Sequence, residues 1–305
     1  NVEIAEVIGA VAEIIFDDLY DSKKYRYPAM NGRYTFGFNQ FVDDRPYRAN
    51  QNFDISLKII TPDWDLRSDE ATMRMLSGQE RSVLVVLPDD REFMTELRQA
   101  MQIHKYLTRG ATNTLAKFEQ IRQMKTVEEK ERRTNARIFL ETALREAVIF
   151  VNGDKLQLSG KDISTRINEG IGKLIAAVYY KLNYIDTATN EGSIRSILKT
   201  TAQYQLKLDG GVVINKLALS DLEDYLNLNT TRNHARTSLK TLYDRYMKAP
   251  YGFIEDDVRW LVAKLFRDGK ISMFVNNEPI TMMSKSDEEI IRYLTKREFT
   301  EKLLL

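Results

Sequence analysis

Apolar residues recur at helical spacing in the first twenty positions of the chain. Between residues 2 and 20 they follow an i, i+3, i+4 pattern, which predicts an amphipathic helix with a wide apolar face. A stretch rich in Pro and Gly follows over residues 20–52, and residues 53–60 (FDISLKII) then alternate apolar and polar positions as a strand does. Residues 83–87 form a short, continuously apolar strand, and a helix is predicted from there to about residue 107. Alternating strands and helices predict a mixed α/β portion over residues 1–110.

The middle of the chain, residues 111–228, begins with a long stretch that has almost no helix breaker. Two apolar stripes over residues 112–148, the first formed by Leu115, Phe118, Ile121, Met124 and Val127, flank a polar segment at 128–135. A helix of this length would extend about 50 Å, so we expect it to project, bridge two lobes, or break at the polar segment. Asn152-Gly153 predicts a tight β-hairpin turn, and a helix is expected over 161–182. Ser220 and Glu223 have the spacing of a capping box that opens a short helix.

From residue 229 to residue 305 the pattern becomes helix, short turn, helix, hairpin and helix. The first helix ends before Pro250, the second has an apolar face from Ile254 to Phe266, and the strands of the hairpin are predicted at 270–274 and 278–282. Ser286 caps a further helix. Two helices followed by a hairpin is the order of a winged helix-turn-helix, so the whole chain is predicted to be α+β and rich in helix.

Composition removes several kinds of chemistry. The chain has no Cys, which excludes disulfides, thiol nucleophiles and cysteine-based metal sites, and its two His residues argue against a histidine-built metal site. Lys and Arg number 45 against 44 Asp and Glu. No apolar run approaches the roughly 20 residues that a membrane span needs. The chain also begins inside an apolar-periodic stretch, as a piece of a longer protein would.

The candidate catalytic motifs fail on inspection of their residues. Glu169-Gly170-Ile171-Gly172-Lys173-Leu174 has a Gly-Lys centre, but Ile167 and Leu174 replace the glycine and the hydroxyl residue that a phosphate loop requires, so the glycines are expected in or beside a helix. Asp89 and Asp90 follow the 83–87 strand, and they are better interpreted as residues that cap the next helix than as metal ligands. The pair Asp43-Asp44 is expected to be solvated or salt-bridged, and His104 to lie on a helix surface or pack there. We therefore predict no catalytic, cofactor or metal residue.

Two groups of residues could contact nucleic acid. Residues 232–285 hold ten bases and six acids, and a winged helix can place the helix before its hairpin in the major groove. That helix begins Glu255-Asp256-Asp257, which would meet phosphates unfavourably; packing or partner contact is the competing interpretation. The tentative contacts of the region are basic: Arg232, Arg236, Lys240, Arg259, Lys264 and Lys270.

The second group lies between Tyr25 and Phe53, where eight aromatic residues are interleaved with four arginines. Such platforms could stack single-stranded bases, with Tyr34, Tyr47 and Arg48 as the candidates. The alternative is that the phenylalanines anchor an irregular loop on the core while the tyrosines reach outward.

Several strings of residues resemble a known family. Residues 16–27 (FDDLYDSKKYRY), 38–44 (FNQFVDD), 76–80 (LSGQE) with 83–90, and the turn Ala249-Pro250-Tyr251-Gly252-Phe253 are similar to the BrxC family of large P-loop proteins from bacterial BREX phage-defence systems. The resemblance covers most of the chain. It implies an ATPase parent that binds ATP and magnesium, although the family's phosphate loop has no counterpart here, so these residues would be an internal or C-terminal piece beyond the ATPase core.

Two functions follow from this interpretation. The first is a non-catalytic assembly region that contacts other BREX subunits or self-associates; the second is a DNA-binding module of the same ATPase. Whether the chain has an enzymatic activity of its own stays open. We expect a cytoplasmic protein with no membrane contact and no small-molecule substrate.

Overall fold

A computed structural model describes residues 2–67, 69–109, 116–158, 160–199 and 212–305. The chain divides into two compact units: the first holds Asn1–Arg26 and Thr35–Ala177, and the second holds Tyr27–Tyr34 and Val178–Leu305. The sequence placed boundaries near residues 110 and 228. The first unit continues past residue 110 because the hairpin at Asn152-Gly153 joins a sheet whose other strands come from the first 86 residues.

The first unit contains five long helices and eight strands among its described residues. The predicted first helix is confirmed as α1 (Ile4–Ile14), which continues as a π-helical turn at Ile15–Leu19. The other helices are α2 (Glu70–Gln79), α3 (Glu92–Arg109), α4 (Ala116–Glu146) and α5 (Ile163–Val178). The strands are β1 (Lys24–Arg26), β2 (Thr35–Gly37), β3 (Asn39–Val42), β4 (Arg45–Pro46), β5 (Ser56–Ile60), β6 (Ser82–Val86), β7 (Val148–Val151) and β8 (Asp154–Lys155).

Six of these strands form one mixed sheet in the order β4-β3-β5-β6-β7-β8. The central strands β3, β5 and β6 are parallel, whereas β4, β7 and β8 pair antiparallel to their neighbours. The predicted hairpin is confirmed, since Asn152 and Gly153 have φ angles of 49° and 87°. β1 and β2 pair separately. The apolar strands predicted near 53–60 and 83–87 are thus the buried centre of the sheet.

Each face of the sheet is covered by a helix. On one face Leu84 and Phe150 pack with Trp64 and with Met73 of α2. On the other face Gly170 of α5 lies so close to the sheet that an added Cβ would stand 3.0 Å from Val83 Cγ1. The Gly170-Ile171-Gly172-Lys173 run is therefore the interior of a helix, as the sequence predicted, and its first glycine is a packing residue.

The long helix α4 packs along α3 as a two-helix hairpin. It is continuous over 31 residues, so its polar segment does not break it. Arg132 Nη1 lies 3.1 Å from Glu96 of α3, and Glu129 lies 3.1 Å from His104 Nδ1. These contacts join one side of the polar segment to α3. Leu115 and Gly110 lie outside the described residues.

The second unit follows the order predicted for a winged helix. Its helices are α6 (Glu191–Lys199), α7 (Lys216–Asn233), α8 (Leu239–Tyr246), α9 (Glu255–Arg267) and α10 (Asp287–Thr295), with 3₁₀ turns at Leu182–Tyr184 and Arg297–Phe299. Its strands are β9 (Met273–Val275), β10 (Glu278–Ile280) and β11 (Leu303–Leu304), in the order β10-β9-β11. A turn at Ala29–Gly32 also belongs to this unit, with Met30 and Asn31 at left-handed φ. The predicted α+β, helix-rich class is confirmed.

Two local predictions in this unit need adjustment. The strand expected from residue 270 begins at Met273, because the Lys270 amide still caps α9 by donating to the Leu265 carbonyl. The capping box expected at Ser220 is wrong, since α7 begins at Lys216, behind Asn215. Asn215 Oδ1 accepts from the amides of Asp186 and Thr187, which fixes the helix start five residues earlier. The Ser286 capping box is confirmed.

Candidate functional site

Helix α9 occupies the position of the DNA-recognition helix in a winged helix-turn-helix, yet it lies in the core of its unit. Of its 13 residues only Glu255 is exposed, and Trp260, Leu261 and Val262 are at most 2% accessible. The helix packs against α6, α7, α8 and α10. A helix enclosed in this way cannot place its side chains in a DNA groove.

The three acids that begin α9 are used within the unit. Glu255 and Asp256 pair with Arg259, at 2.6 and 3.2 Å, and Arg259 also donates to the Tyr243 hydroxyl at 2.9 Å. Lys264 pairs with Asp268 at 2.9 Å. Arg259 and Lys264, two of the predicted nucleic-acid contacts, are therefore already paired with carboxylates of α9 or of the residue that directly follows it.

Asp257, the third acid, is completely buried. Its carboxylate lies 3.1 Å from Arg33 Nη2, and it accepts from the Tyr34 hydroxyl at 2.9 Å and the Thr189 hydroxyl at 3.1 Å. The Ile254 amide donates to it at 3.2 Å, which caps α9. Burial raises the pKa of Asp257 above its ordinary value, against the opposing effect of Arg33. Burial and the neighbouring Asp257 likewise raise the pKa of Tyr34.

In the aromatic- and arginine-rich segment between Tyr25 and Phe53, the stacking candidates Tyr34, Tyr47 and Arg48 do not form one surface on which bases could stack. Tyr34 is 1% accessible and holds Asp257, so its ring offers no face to a base. Tyr47 packs on Phe16 with ring centroids 5.2 Å apart and donates to Asp17. Arg48 lies 3.4 Å from the same Asp17 carboxylate. The anchoring interpretation describes Tyr34 and Tyr47 better than the stacking one.

The remaining predicted contacts are exposed, but they do not share one surface. Lys240 pairs with Glu301 at 2.8 Å. Arg232 is exposed near the end of α7 and forms no ion pair with a described residue. Arg236 and Lys270 are brought together, because both line a groove of about 360 Å³ between α7 and the start of β9. The other polar residues of this groove include Asn227, Thr231 and Ser272, and its apolar floor includes Phe274.

A second exposed feature is one face of α4. Met124, Val127 and Ile138 are 73%, 55% and 51% accessible, although large apolar side chains are usually covered. With the exposed residues Glu131 and Thr134 they are spaced by three, four, three and four positions. We call these five residues the α4 face. The sequence contained the apolar stripe, but only the structure places it away from α3.

The acidic pair Asp43-Asp44 is used structurally. Asp43 is buried and accepts from the Thr61 amide and hydroxyl, each at 2.8 Å, and burial raises its pKa. Asp44 accepts from Trp64 Nε1 at 2.7 Å. His104 is an exposed helix residue, as one of the two alternatives had it. Within the described ranges no three His, Asp or Glu side chains gather in a metal-binding cluster.

Comparison with known protein families identifies both units. Residues 1–174 match the model described as "BREX ATP-binding protein BrxC 4th domain with six-stranded beta sheet". Residues 181–305 match the model described as "BREX ATP-binding protein BrxC winged helix-turn-helix domain". No solved structure matches the chain. No helix of the described ranges has both the length and the apolar character to span a bilayer.

Proposed function

Because the chain belongs to the BrxC family of BREX ATP-binding proteins, we propose that it is a non-catalytic assembly region of a BREX-type antiphage defence ATPase. Its role is to contact another protein subunit of the defence complex through the α4 face. ATP and magnesium would be bound by other parts of the parent protein. The observation that carries the proposal is the exposure of Met124, Val127 and Ile138 on one side of a long, continuous helix.

The spacing of the α4 face suits a helix as its partner. Alternation of three and four residues keeps side chains on one seam when two helices wrap around each other. The seam is mixed, with apolar Met124, Val127 and Ile138 and polar Glu131 and Thr134. Burying the three apolar side chains would stabilise a complex, since each fully buried side chain of this size contributes about 1.5–3 kcal/mol.

Glu131 argues for a different chain as the partner and against a second copy. If the full α4 face paired with itself, either parallel or antiparallel, Glu131 would stand opposite Glu131. Like charges at such a contact oppose association. Glu131 forms no ion pair with a described residue, so a partner helix with Lys or Arg at this point would complement it. The partner is thus a helix of another subunit, apolar on one face and basic near its centre.

Burial of α9 weighs against the competing function, in which the winged helix reads duplex DNA through its second helix. In this chain that helix holds the unit together, and its acids and bases neutralise one another. The winged helix then serves as a packed module of the chain, without a base-reading role for α9.

Adding charge to the α4 face is expected to weaken assembly. Met124→Glu with Val127→Glu, introduced in the full-length parent protein, should reduce its affinity for the partner subunit at least tenfold, since about 1.4 kcal/mol corresponds to that factor. Glu131→Lys should also weaken binding, because it repels a basic partner. The measurement is biolayer interferometry of the purified parent protein against each other subunit of the complex.

The matched control adds the same charge to the same helix outside the face. Thr126→Glu with Lys130→Gln makes the same change in net charge at two exposed positions of α4 that do not line the groove beside Met124 and Val127, and it should leave the affinity within twofold of the unmodified protein. Equal binding by the α4-face variant and by this control would contradict the proposal.

A further inference from the structure

We infer that the groove between α7 and β9 binds one nucleotide unit of single-stranded nucleic acid, with a base on the guanidinium of Arg236 and a phosphate near Lys270. This inference goes beyond the assembly function and concerns a different unit of the chain. It rests on three properties of the groove: its charge, the arrangement of Arg236 on an aromatic ring, and its size.

Two cationic side chains line the groove. Arg236 is exposed and forms no ion pair with any described carboxylate. Lys270 also lines the groove, and its Nζ lies 3.6 Å from Glu223 Oε1, a long and exposed pair. The side chains of Arg236 and Lys270 can each pair with the negative charge of a phosphodiester. Donors for phosphate oxygens are also present on Asn227 and Ser272.

Arg236 is held in a way that leaves a flat surface. Its guanidinium carbon lies 3.7 Å from the centroid of the Phe274 ring, on strand β9. One side of the guanidinium is therefore covered by the ring, and the exposed position of Arg236 leaves the other side to solvent. Planar arginine side chains stack on unpaired bases in nucleic-acid complexes. Contact with Phe274 orders the side chain before a base arrives, which lowers the entropy lost on binding.

The size of the groove favours a single strand over a duplex. A volume of about 360 Å³ lies at the small end of ligand pockets and suits one nucleotide. Bases of a duplex are stacked on each other, and their edges are reached by an element that enters a groove. Since α9 is buried, the helix that a winged helix-turn-helix places in a duplex groove is not accessible. An unpaired nucleotide can instead turn its base toward Arg236.

The test uses fluorescence anisotropy of the 305-residue chain with a fluorescein-labelled dT20 strand and with a 20-base-pair duplex. Arg236→Gln is expected to weaken dT20 binding at least tenfold and to reduce the slope of log K against log salt by about 0.7. Arg236→Lys should leave that slope unchanged yet weaken binding about fivefold, because lysine keeps the positive charge but lacks the planar guanidinium on which a base can stack. Lys270→Gln should reduce the slope without removing the preference for the single strand.

Lys240→Gln is the matched control, since Lys240 is an exposed lysine of the same unit that pairs with Glu301 outside the groove. It should stay within twofold of the unmodified chain. The inference is overturned if dT20 does not bind, if the duplex binds as tightly as dT20, or if Arg236→Gln and Lys270→Gln behave like the control. Subunit assembly through the α4 face is measured separately, so failure here leaves the assembly proposal intact.

Discussion

Replacement of Asp257 by alanine is expected to lower the free energy of unfolding of the winged-helix unit by about 3–5 kcal/mol. The substitution removes the carboxylate that pairs with Arg33 at 3.1 Å and accepts from Tyr34 and Thr189. Arg33, whose side chain is only 15% accessible, would keep its charge without this partner. The loss is measured by urea unfolding of the chain labelled with 5-fluorotryptophan. The chain has two tryptophans, Trp64 in the first unit and Trp260 in the second, so ¹⁹F NMR follows each unit separately.

Asp256→Ala is the control, because it removes the neighbouring carboxylate from the same helix turn. Asp256 is 36% accessible and pairs with Arg259, which also keeps Glu255 as a partner. Exposed ion pairs contribute little, so the cost should stay below about 1 kcal/mol. If Asp257→Ala costs no more than Asp256→Ala, the buried carboxylate does not hold α9 as described.

Gly170→Leu is expected to destabilise the first unit by about 3 kcal/mol, the upper part of the usual range for overpacking a core. A Cβ at this position would stand 3.0 Å from Val83 Cγ1 and 3.3 Å from Ile149 Cγ2, both in the centre of the sheet. The sheet strands are held by pairing on both sides, so they cannot move away cheaply. The Trp64 resonance during urea unfolding reports the change.

Gly9→Leu provides the comparison within the same unit. Gly9 also lies inside a helix, but a Cβ there would meet no atom within 4 Å. Leucine favours helix over glycine by up to about 1 kcal/mol, so this variant should be unchanged or slightly more stable. A Gly170→Leu variant as stable as Gly9→Leu would mean that α5 does not pack closely on the sheet.

Strong local signals predicted much of the fold. Asn152-Gly153 supplied the left-handed angles of a hairpin, and Ser286 and Glu289 formed the expected capping box. The short strands β1 to β4 were missed, because strands of two to four residues depend on partners elsewhere in the sheet more than on their own residues. The helix start predicted at Ser220 was wrong, because residues with capping-box spacing also occur inside helices. The helix begins behind Asn215, whose side chain accepts a hydrogen bond from the Asp186 amide in a loop distant in sequence.

The candidate sites were less predictable, since they depend on long-range contacts. Asp257 is an ordinary first-turn acid by sequence, and its partner Tyr34 lies 223 positions away. The basic residues of the winged helix could be counted, but their carboxylate partners could not, so Arg259 and Lys264 looked equivalent to Arg236. The apolar stripe on α4 could be read from the sequence. Its exposure to solvent could not, because that depends on which side of α4 packs against α3.

The most direct test of the assembly function is site-specific photocross-linking from the α4 face in the full-length parent protein. Val127 is replaced by p-benzoylphenylalanine, and Asp89, an exposed residue of the same unit, is replaced in the same way as a control. After irradiation of the purified defence complex, mass spectrometry should find position 127 joined to a helix of another subunit, with Lys or Arg nearby in that helix. Cross-links from position 127 to DNA or to a second copy, or a yield no higher than from position 89, would contradict the account.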